Sequence, residues 1–477
     1  MSVLIRNIRY TLVEQAVLST HVVVAIALIR HLGPEQYGVY SYYLSVAAIL
    51  SVLTFGAFES LYVREVAQRR DSEALTSTLL LLNFAGALLT ATALFLYYLL
   101  HVQSERLSLL LMGLTAASTF MCIKNTLRAY FIGRQQLGIA ALLNVGLFVV
   151  SIVLKVAGIL TGQALAYFFL LFVVDTALAI AVFGTAYGWR RAVGFAELRH
   201  WSAFLFARGW PLLLAGLAIM VFVRIDQVLL FHLRSEREVG EYASMAWLIE
   251  KLYVFVGIVM TGFFPYLAEK YRSDPAQYLR AVRVGHKLFS MIVVPIAAFL
   301  IANHEAVVAA LFGREFAADS VALACLAAAL VFSYWGAINQ KVLIVSNALK
   351  LDLFFAGCSA VVSVALNALL IPRYGVLGAA AASLAAHSFY FWAQFFIRAY
   401  RRYNFYMLAA APVPLIMSLA CLLLSRVADG IVVQALIYCA AYAVLCVLAL
   451  RTPISEEYGT LGRLFFSRFF RLGRAVP

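Results

Sequence analysis

The chain has 477 residues, of which 64% are hydrophobic and 13% charged, and it carries a net charge of +14. A mean hydropathy of +0.91 excludes a water-soluble globule with an ordinary charged surface, so the solvent for most of the chain is lipid. In a soluble protein such an excess of cations would suggest nucleic acid; here the cations sit between apolar stretches, which ties them to membrane topology and leaves no nucleic acid among the expected partners.

Fourteen apolar stretches follow one another, each close to the roughly 20 helical residues that cross about 30 Å of hydrocarbon. They are Leu12 to Ile29, Val39 to Ser60, Ser77 to Leu100, Leu107 to Ile123, Ile139 to Leu160, Gln163 to Ala186 and Pro211 to Phe231. The series continues with Tyr242 to Tyr266, Val284 to Ala302, Val321 to Ile338, Leu353 to Ile371, Val376 to Ile397, Met407 to Leu424 and Ile431 to Leu450. Lysines and arginines fall in or beside alternate gaps, 27 in the set that begins at the N-terminus against 8 in the other, counting Lys155 and Lys287 of span ends with the adjoining gaps and leaving Arg224 and Lys251 inside spans. By the positive-inside rule the richer set is cytoplasmic, which puts both ends of the chain there. The first stretch lacks a small-residue cleavage site and carries Glu14, Gln15 and His21, so it reads as a retained helix. All six cysteines lie in apolar stretches and read as packing residues, with no disulfide framework expected.

The chain resembles itself at an offset of 202 residues, where Gly38 and Tyr40 match Gly240 and Tyr242. Six helices per copy return the chain to the same side. The expected fold is therefore an all-α polytopic membrane protein of about 14 transmembrane helices, built as two pseudo-symmetric six-helix lobes plus two C-terminal helices. The divisions are 1–187 for the first lobe, 188–209 for a cytoplasmic interfacial linker, 210–402 for the second lobe, 403–450 for helices 13 and 14, and 451–477 for a basic amphipathic tail. The linker mixes Trp189, Trp201, Phe204 and Phe206 with Arg190, Arg191, Arg199 and Arg208, which suits a helix lying among lipid headgroups. In the tail, the four arginines of the Leu461 to Arg474 segment fall opposite Phe465, Phe466, Phe469 and Phe470 on a helical wheel. Gly378, Ala382 and Ala386 recur every four residues and let their helix approach a neighbour closely. Pro295, inside the ninth span, removes a backbone hydrogen bond and is either a hinge or a bend.

No zinc spacing, phosphate loop, nucleophile elbow or paired catalytic carboxylates stand in the gaps, so no metal or cofactor is expected. The outer gaps are short and leave no room for a polymerase or ligase domain, which points to moving a substrate and not to an enzyme.

Ionisable residues at membrane depth are costly and are candidates by default. Arg224 and Asp226 in the seventh span, and Glu250 and Lys251 in the eighth, lie about 8 to 14 Å below the outer surface. Two readings stand. Arg224 and Glu250 neutralise each other structurally, or Arg224 and Lys251 hold an anionic headgroup while Asp226 or Glu250 exchanges a proton or cation. His21 is a packing residue or a proton relay. Asp175, deep in the sixth span and without an obvious local partner, is a cavity candidate. Arg30, Arg64, Lys124, Arg128 and Lys341 lie near span ends, where topology anchoring is their expected role; for Arg30 and Arg64 headgroup contact is the alternative.

Four segments carry a family likeness. Arg224-Ile-Asp-Gln-Val-Leu-Leu230 with Val239-Gly-Glu-Tyr242 and Phe264-Pro265, Leu32-Gly-Pro-Glu-Gln-Tyr-Gly38, Phe312-Gly-Arg-Glu-Phe316 and Tyr374-Gly-Val-Leu-Gly-Ala-Ala380 occur in the order and spacing of the Wzx-type polysaccharide and O-antigen flippases, which the chain resembles. These belong to the multidrug, oligosaccharidyl-lipid and polysaccharide exporter superfamily. The resemblance implies two six-helix lobes that open alternately to each side and carry an undecaprenyl-pyrophosphate-linked oligosaccharide across the bacterial cytoplasmic membrane, with ion coupling by analogy. It also implies membrane lipids as partners, together with a glycan polymerase and glycosyltransferases. The rival readings are a multidrug-type small-molecule exporter, with cations bound near Asp175 or Asp226, and a membrane glycan polymerase or transferase.

Overall fold

The computed structural model describes residues 20–54, 58–68, 73–101, 105–134, 136–188 and 194–451, together with Glu14 and Val17. Among them every regular element is helical, and nine stretches are long and apolar enough to cross a membrane. The protein is a multi-pass membrane protein. The basic tail expected over Leu461 to Arg474 lies outside the described residues.

The helices are α1 (His21–Leu50), α2 (Glu59–Gln68), α3 (Glu73–His101), α4 (Glu105–Gly133), α5 (Leu137–Leu160), α6 (Leu165–Tyr187), α7 (Phe195–Leu233) and α8 (Glu236–Leu252). They continue as α9 (Val254–Ser273), α10 (Pro275–Ala302), α11 (His304–Leu311), α12 (Val321–Val345), α13 (Leu349–Ala393), α14 (Arg401–Ala410), α15 (Pro412–Ser425) and α16 (Ile431–Arg451). Two of these hold two expected spans each, joined at a turn one residue wide. In α1 the break is Gly33 (φ 69°, ψ 173°) and in α13 it is Gly375 (φ 51°, ψ −127°). Both dihedral pairs suit glycine and little else. After Gly375 the chain folds back so closely that a Cβ on Gly378 would meet the Leu370 carbonyl carbon at 2.7 Å, as its small-residue stripe implies.

The linker differs from expectation. From Phe195 it is helical and runs without interruption through Pro211 into the seventh span, making one α7 of 39 residues rather than a separate helix among headgroups. At about 1.5 Å per residue such a helix is far longer than the hydrocarbon core, so its first turns stand outside it. Gly209 lies against the buried ring of Phe58, a contact a larger residue would block.

The chain divides into two compact units, Met1–Gly240 and Glu241–Pro477. In the first, α4 packs against α3 and α6, α5 against α6, and α1 against α4, α5 and α7. In the second, α10 is the hub, packed against α9, α12, α14 and α15, with α12 also against α13 and α15 against α16. Lipid offers no hydrophobic drive for helix association, so close packing and interhelical hydrogen bonds hold these sets together. Asn83 donates to Thr126 (2.6 Å) between α3 and α4, Trp335 to Ser290 (3.0 Å) between α12 and α10, and Asn339 to Asn404 (2.6 Å) between α12 and α14. Aromatic cores surround them, among them Phe289, Tyr334 and Tyr403 in the second unit.

The repeat has a physical signature inside the first unit. A Cβ on Gly38 would collide with the Glu236 carbonyl, and a Cβ on Gly240 with the Pro34 carbonyl. Pro34 and Glu236, like Gly38 and Gly240, are 202 positions apart. Such a reciprocal contact, in which i meets j′ and j meets i′, is what two-fold related segments make at their axis. The helix breaks also correspond, at Gly33 in the first copy and at Ser235 in the second.

Gly38→Ala and Gly240→Ala are each expected to lower stability by about 1–3 kcal/mol, because backbone and not a movable side chain blocks the added methyl. Thermal unfolding in detergent checks this; unchanged melting in both variants contradicts the contact.

Candidate functional site

Two ion-paired clusters of the first unit meet on α5. Asn144, Ser151 and Lys155 are spaced by seven and four residues, which at about 100° per residue puts them within roughly 20° of one line along the helix. The opposite side presents Leu142, Val149, Val153, Val156 and Leu160, all exposed. The helix therefore has a lipid face and a polar face, and ion-paired clusters stand at both ends of the polar face.

The first cluster is built on Glu14, buried ahead of α1. One of its carboxylate oxygens accepts from Arg128 Nη2 at 3.1 Å and from Asn144 Nδ2 at 2.7 Å. Lys124, one turn before Arg128 on α4, and Glu59 at the start of α2 lie within electrostatic reach of the pair, so two cations face two carboxylates. Lys124 also stands 5.9 Å from the centroid of the Phe183 ring. The second cluster lies about 16 Å along α5, eleven residues on at about 1.5 Å each. There Ser151 Oγ donates to Asp175 Oδ2 at 2.5 Å and Lys155 Nζ stands 3.8 Å from the same oxygen. Lys155 and Asp175 keep 19% and 18% of their side chains accessible. Tyr40 of α1 lies within electrostatic reach of Asp175, with its ring 5.7 Å from Phe169.

Between the clusters, His21 packs its ring 6.0 Å from Phe148 of α5. Elsewhere in the unit, α1 and α7 are joined by Ser45 Oγ donating to Gln227 Oε1 (2.8 Å) and by Tyr42, whose ring stacks 3.8 Å from Phe231 and whose hydroxyl is hydrogen-bonded to His232 (3.1 Å).

The residues named from the sequence separate accordingly, and three readings need correction. Asp175 does not lack a local partner, since Lys155 and Ser151 both reach it from α5. Lys155, counted among gap cations, belongs to the body of α5. Arg128 does more than anchor a span end; it neutralises Glu14. Arg224 is half-buried and Asp226 buried on α7 of the first unit, where Asp226 Oδ1 also accepts from the Gln227 amide (2.7 Å). Glu250 is half-buried on α8 in the second unit, and Lys251 is exposed with Nζ 5.6 Å from the centroid of the Trp247 ring. Arg30 is exposed on α1. Arg64 falls on α2, its side chain outside the described residues. Pro295 is buried within a continuous α10.

The second unit contributes Asp352 of α13, which accepts from Tyr390 Oη at 2.6 Å and Gln340 Nε2 at 3.4 Å, while Lys341 lies 5.4 Å from the Phe264 ring centroid. Among the described residues no group of three or more His, Cys, Asp or Glu has the arrangement of a metal site.

Reasoning from the sequence missed Glu14, Asn144, Ser151 and Lys155 as functional residues. The periodic polar positions in an otherwise apolar α5 were the available signal.

The profile of the family described as Polysaccharide biosynthesis protein matches residues 4–270. No curated protein matches the chain in sequence. Among solved structures, that of lipid II flippase MurJ in an inward closed conformation aligns with a TM-score of 0.72 at 13% identity, over 92% of this chain and 99% of that one. An inward-facing multidrug resistance MATE family transporter of the MOP superfamily aligns with a TM-score of 0.62 at 14% identity, over 80% and 94%. A MOP superfamily transporter from Pyrococcus furiosus, described as having a binding pocket of reverse polarity, aligns with a TM-score of 0.57 at 16% identity, over 84% and 96%. At these identities the likeness is one of fold.

Replacing Glu14 by Leu leaves Arg128 short of its carboxylate, and replacing both by Leu removes the imbalance. The double variant is expected to melt above the Glu14→Leu single variant, with a coupling of about 1–3 kcal/mol, given that Arg128 is partly exposed. Additive effects of the two changes would contradict the pairing.

Proposed function

The chain belongs to the polysaccharide biosynthesis protein family, and from that membership we propose that it is a flippase which carries an undecaprenyl-pyrophosphate-linked oligosaccharide across the bacterial cytoplasmic membrane. The observation that carries this reading is the polar face of α5, with cation and carboxylate paired at both ends. A pyrophosphate is more highly charged than a carboxylate and presents more acceptor oxygens to Arg and Lys. It therefore displaces Glu14 from Arg128, or Asp175 from Lys155. The displaced carboxylate, left without its cation, takes a small cation in its place. Release of the headgroup restores the pair and frees that cation, so cargo and ion exchange at one place. Sugars follow along the hydroxyl and amide groups of Ser151 and Asn144, while the polyprenyl tail stays in hydrocarbon.

In this scheme Arg224, Lys251, Arg30 and Arg64 contact headgroup phosphates, Asp226, Glu250 and His21 are further ion-exchanging or cavity groups, and Pro295 is a hinge. The excess of cations in alternate gaps supports an orientation with both chain ends in the cytoplasm. The enzymes that build and polymerise the lipid-linked glycan are the partners such an activity requires. The rival reading, export of a small cationic molecule, has Asp175 or Asp226 as its binding carboxylate.

Deletion is expected to leave lipid-linked glycan on the cytoplasmic side and remove it from the surface. Against that background, Lys155→Ala and Arg128→Ala should restore export at least about tenfold less well than the wild type, the loss of one charge-assisted contact. Lys155→Arg should retain most of it. Surface glycan, measured beside protein level in the membrane, is the readout. Full export by both alanine variants contradicts the headgroup role, and drug sensitivity of the deletion strain with intact surface glycan decides for the rival.

A further inference from the structure

Pro295 cannot donate to the carbonyl four residues back, and its ring pushes that carbonyl, Met291 O, away from the helix axis. Inside a membrane an unsatisfied carbonyl costs several kcal/mol. The oxygen is taken up from outside the helix: Tyr442 Oη of α16 donates to Met291 O at 3.0 Å. One turn earlier on α16, Tyr438 Oη donates to the carbonyl of Pro295 itself at 2.9 Å. The two tyrosine rings are nearly parallel, 13° apart with centroids 6.4 Å from each other, and Phe299 of α10 covers Tyr438 at 5.1 Å. A third donor comes from the end of α15, where Arg426 Nη2 reaches Ala302 O at 3.1 Å. Ala302 is the last residue of α10, and a helix end leaves such carbonyls without an intrahelical donor.

Three side chains of the C-terminal helix pair thus reach three backbone oxygens of one helix, two of which lack a helical N–H for a covalent or positional reason. Packing alone would not place hydroxyls at the proline and a guanidinium at the terminus. We propose that α15 and α16 are a brace for α10: they replace the hydrogen bonds that Pro295 and the helix end remove, and Tyr442 sets how stiff α10 is at Pro295. The brace does not depend on the nature of the cargo, so its test is separable from that of the flippase reading.

The test uses the full-length protein in lipid nanodiscs and follows amide hydrogen exchange over Val293 to Phe299. Tyr442→Phe keeps the ring and removes only the donor. In the Pro295 background it is expected to speed exchange roughly fivefold to tenfold, the effect of one lost hydrogen bond. In a Pro295→Ala background, where residue 295 again has an N–H for Met291 O, Tyr442→Phe is expected to change exchange little. Pro295→Ser supplies the same N–H should the alanine variant not accumulate. Equal acceleration in both backgrounds, or none in either, overturns the proposal and leaves Tyr442 as a packing residue.

Discussion

Hydrocarbon offers no hydrogen bonds, so each polar group carried to membrane depth must find its partner within the protein. The cost of failing, several kcal/mol per group, is comparable to the net stability of a whole domain, and this constraint fixes much of the arrangement of the chain. The side-chain N–H groups of the buried asparagines at 83 and 339 each reach an acceptor on a neighbouring helix, Thr126 and Asn404. The carbonyl of Met291, which Pro295 leaves without a helical donor, accepts from Tyr442 of α16. The single-residue turns at Gly33 and Gly375 keep the chain's reversals short, so little backbone is left outside a helix.

Within that constraint the polar groups divide into two kinds. Contacts such as Trp335 to Ser290 or Tyr438 to Pro295 are neutral, buried and exchange nothing; they set positions. The ionic pairs at the two ends of α5 keep part of their side chains accessible, and the attraction between their members is balanced by the cost of desolvating both. A pair so balanced is readily exchanged for another partner of the same charge, which is the property a carrier of an anionic headgroup needs. The fold is shared with lipid and drug transporters of solved structure.

Much of the scaffold is legible in the sequence. Apolar length marks out the helices, and the Gly and Tyr matches at offset 202 locate Gly38 and Gly240, which the structure places against each other's backbone. The linker is misleading because its mixture of tryptophan, phenylalanine and arginine suits a headgroup-level helix equally well as the protruding start of a long one. The site is less legible. Glu14 and Arg128 are 114 positions apart, and no periodicity within a helix reveals a pairing between helices. Asn144 and Ser151 carry no charge and so do not stand out, although their register with Lys155 is present in the sequence.

The central claim is that the polar face of α5 meets water while its opposite face meets lipid. Single cysteines at Asn144, Ser151 and Lys155, and at the control positions Val149 and Val153, placed in a background with the six native cysteines replaced, test it through labelling by a membrane-impermeant, charged thiol reagent in cells and in inside-out vesicles. The account predicts labelling at the three polar positions, in one orientation or the other, and none at the valines. Labelling absent from all three, or equal on both faces, contradicts it.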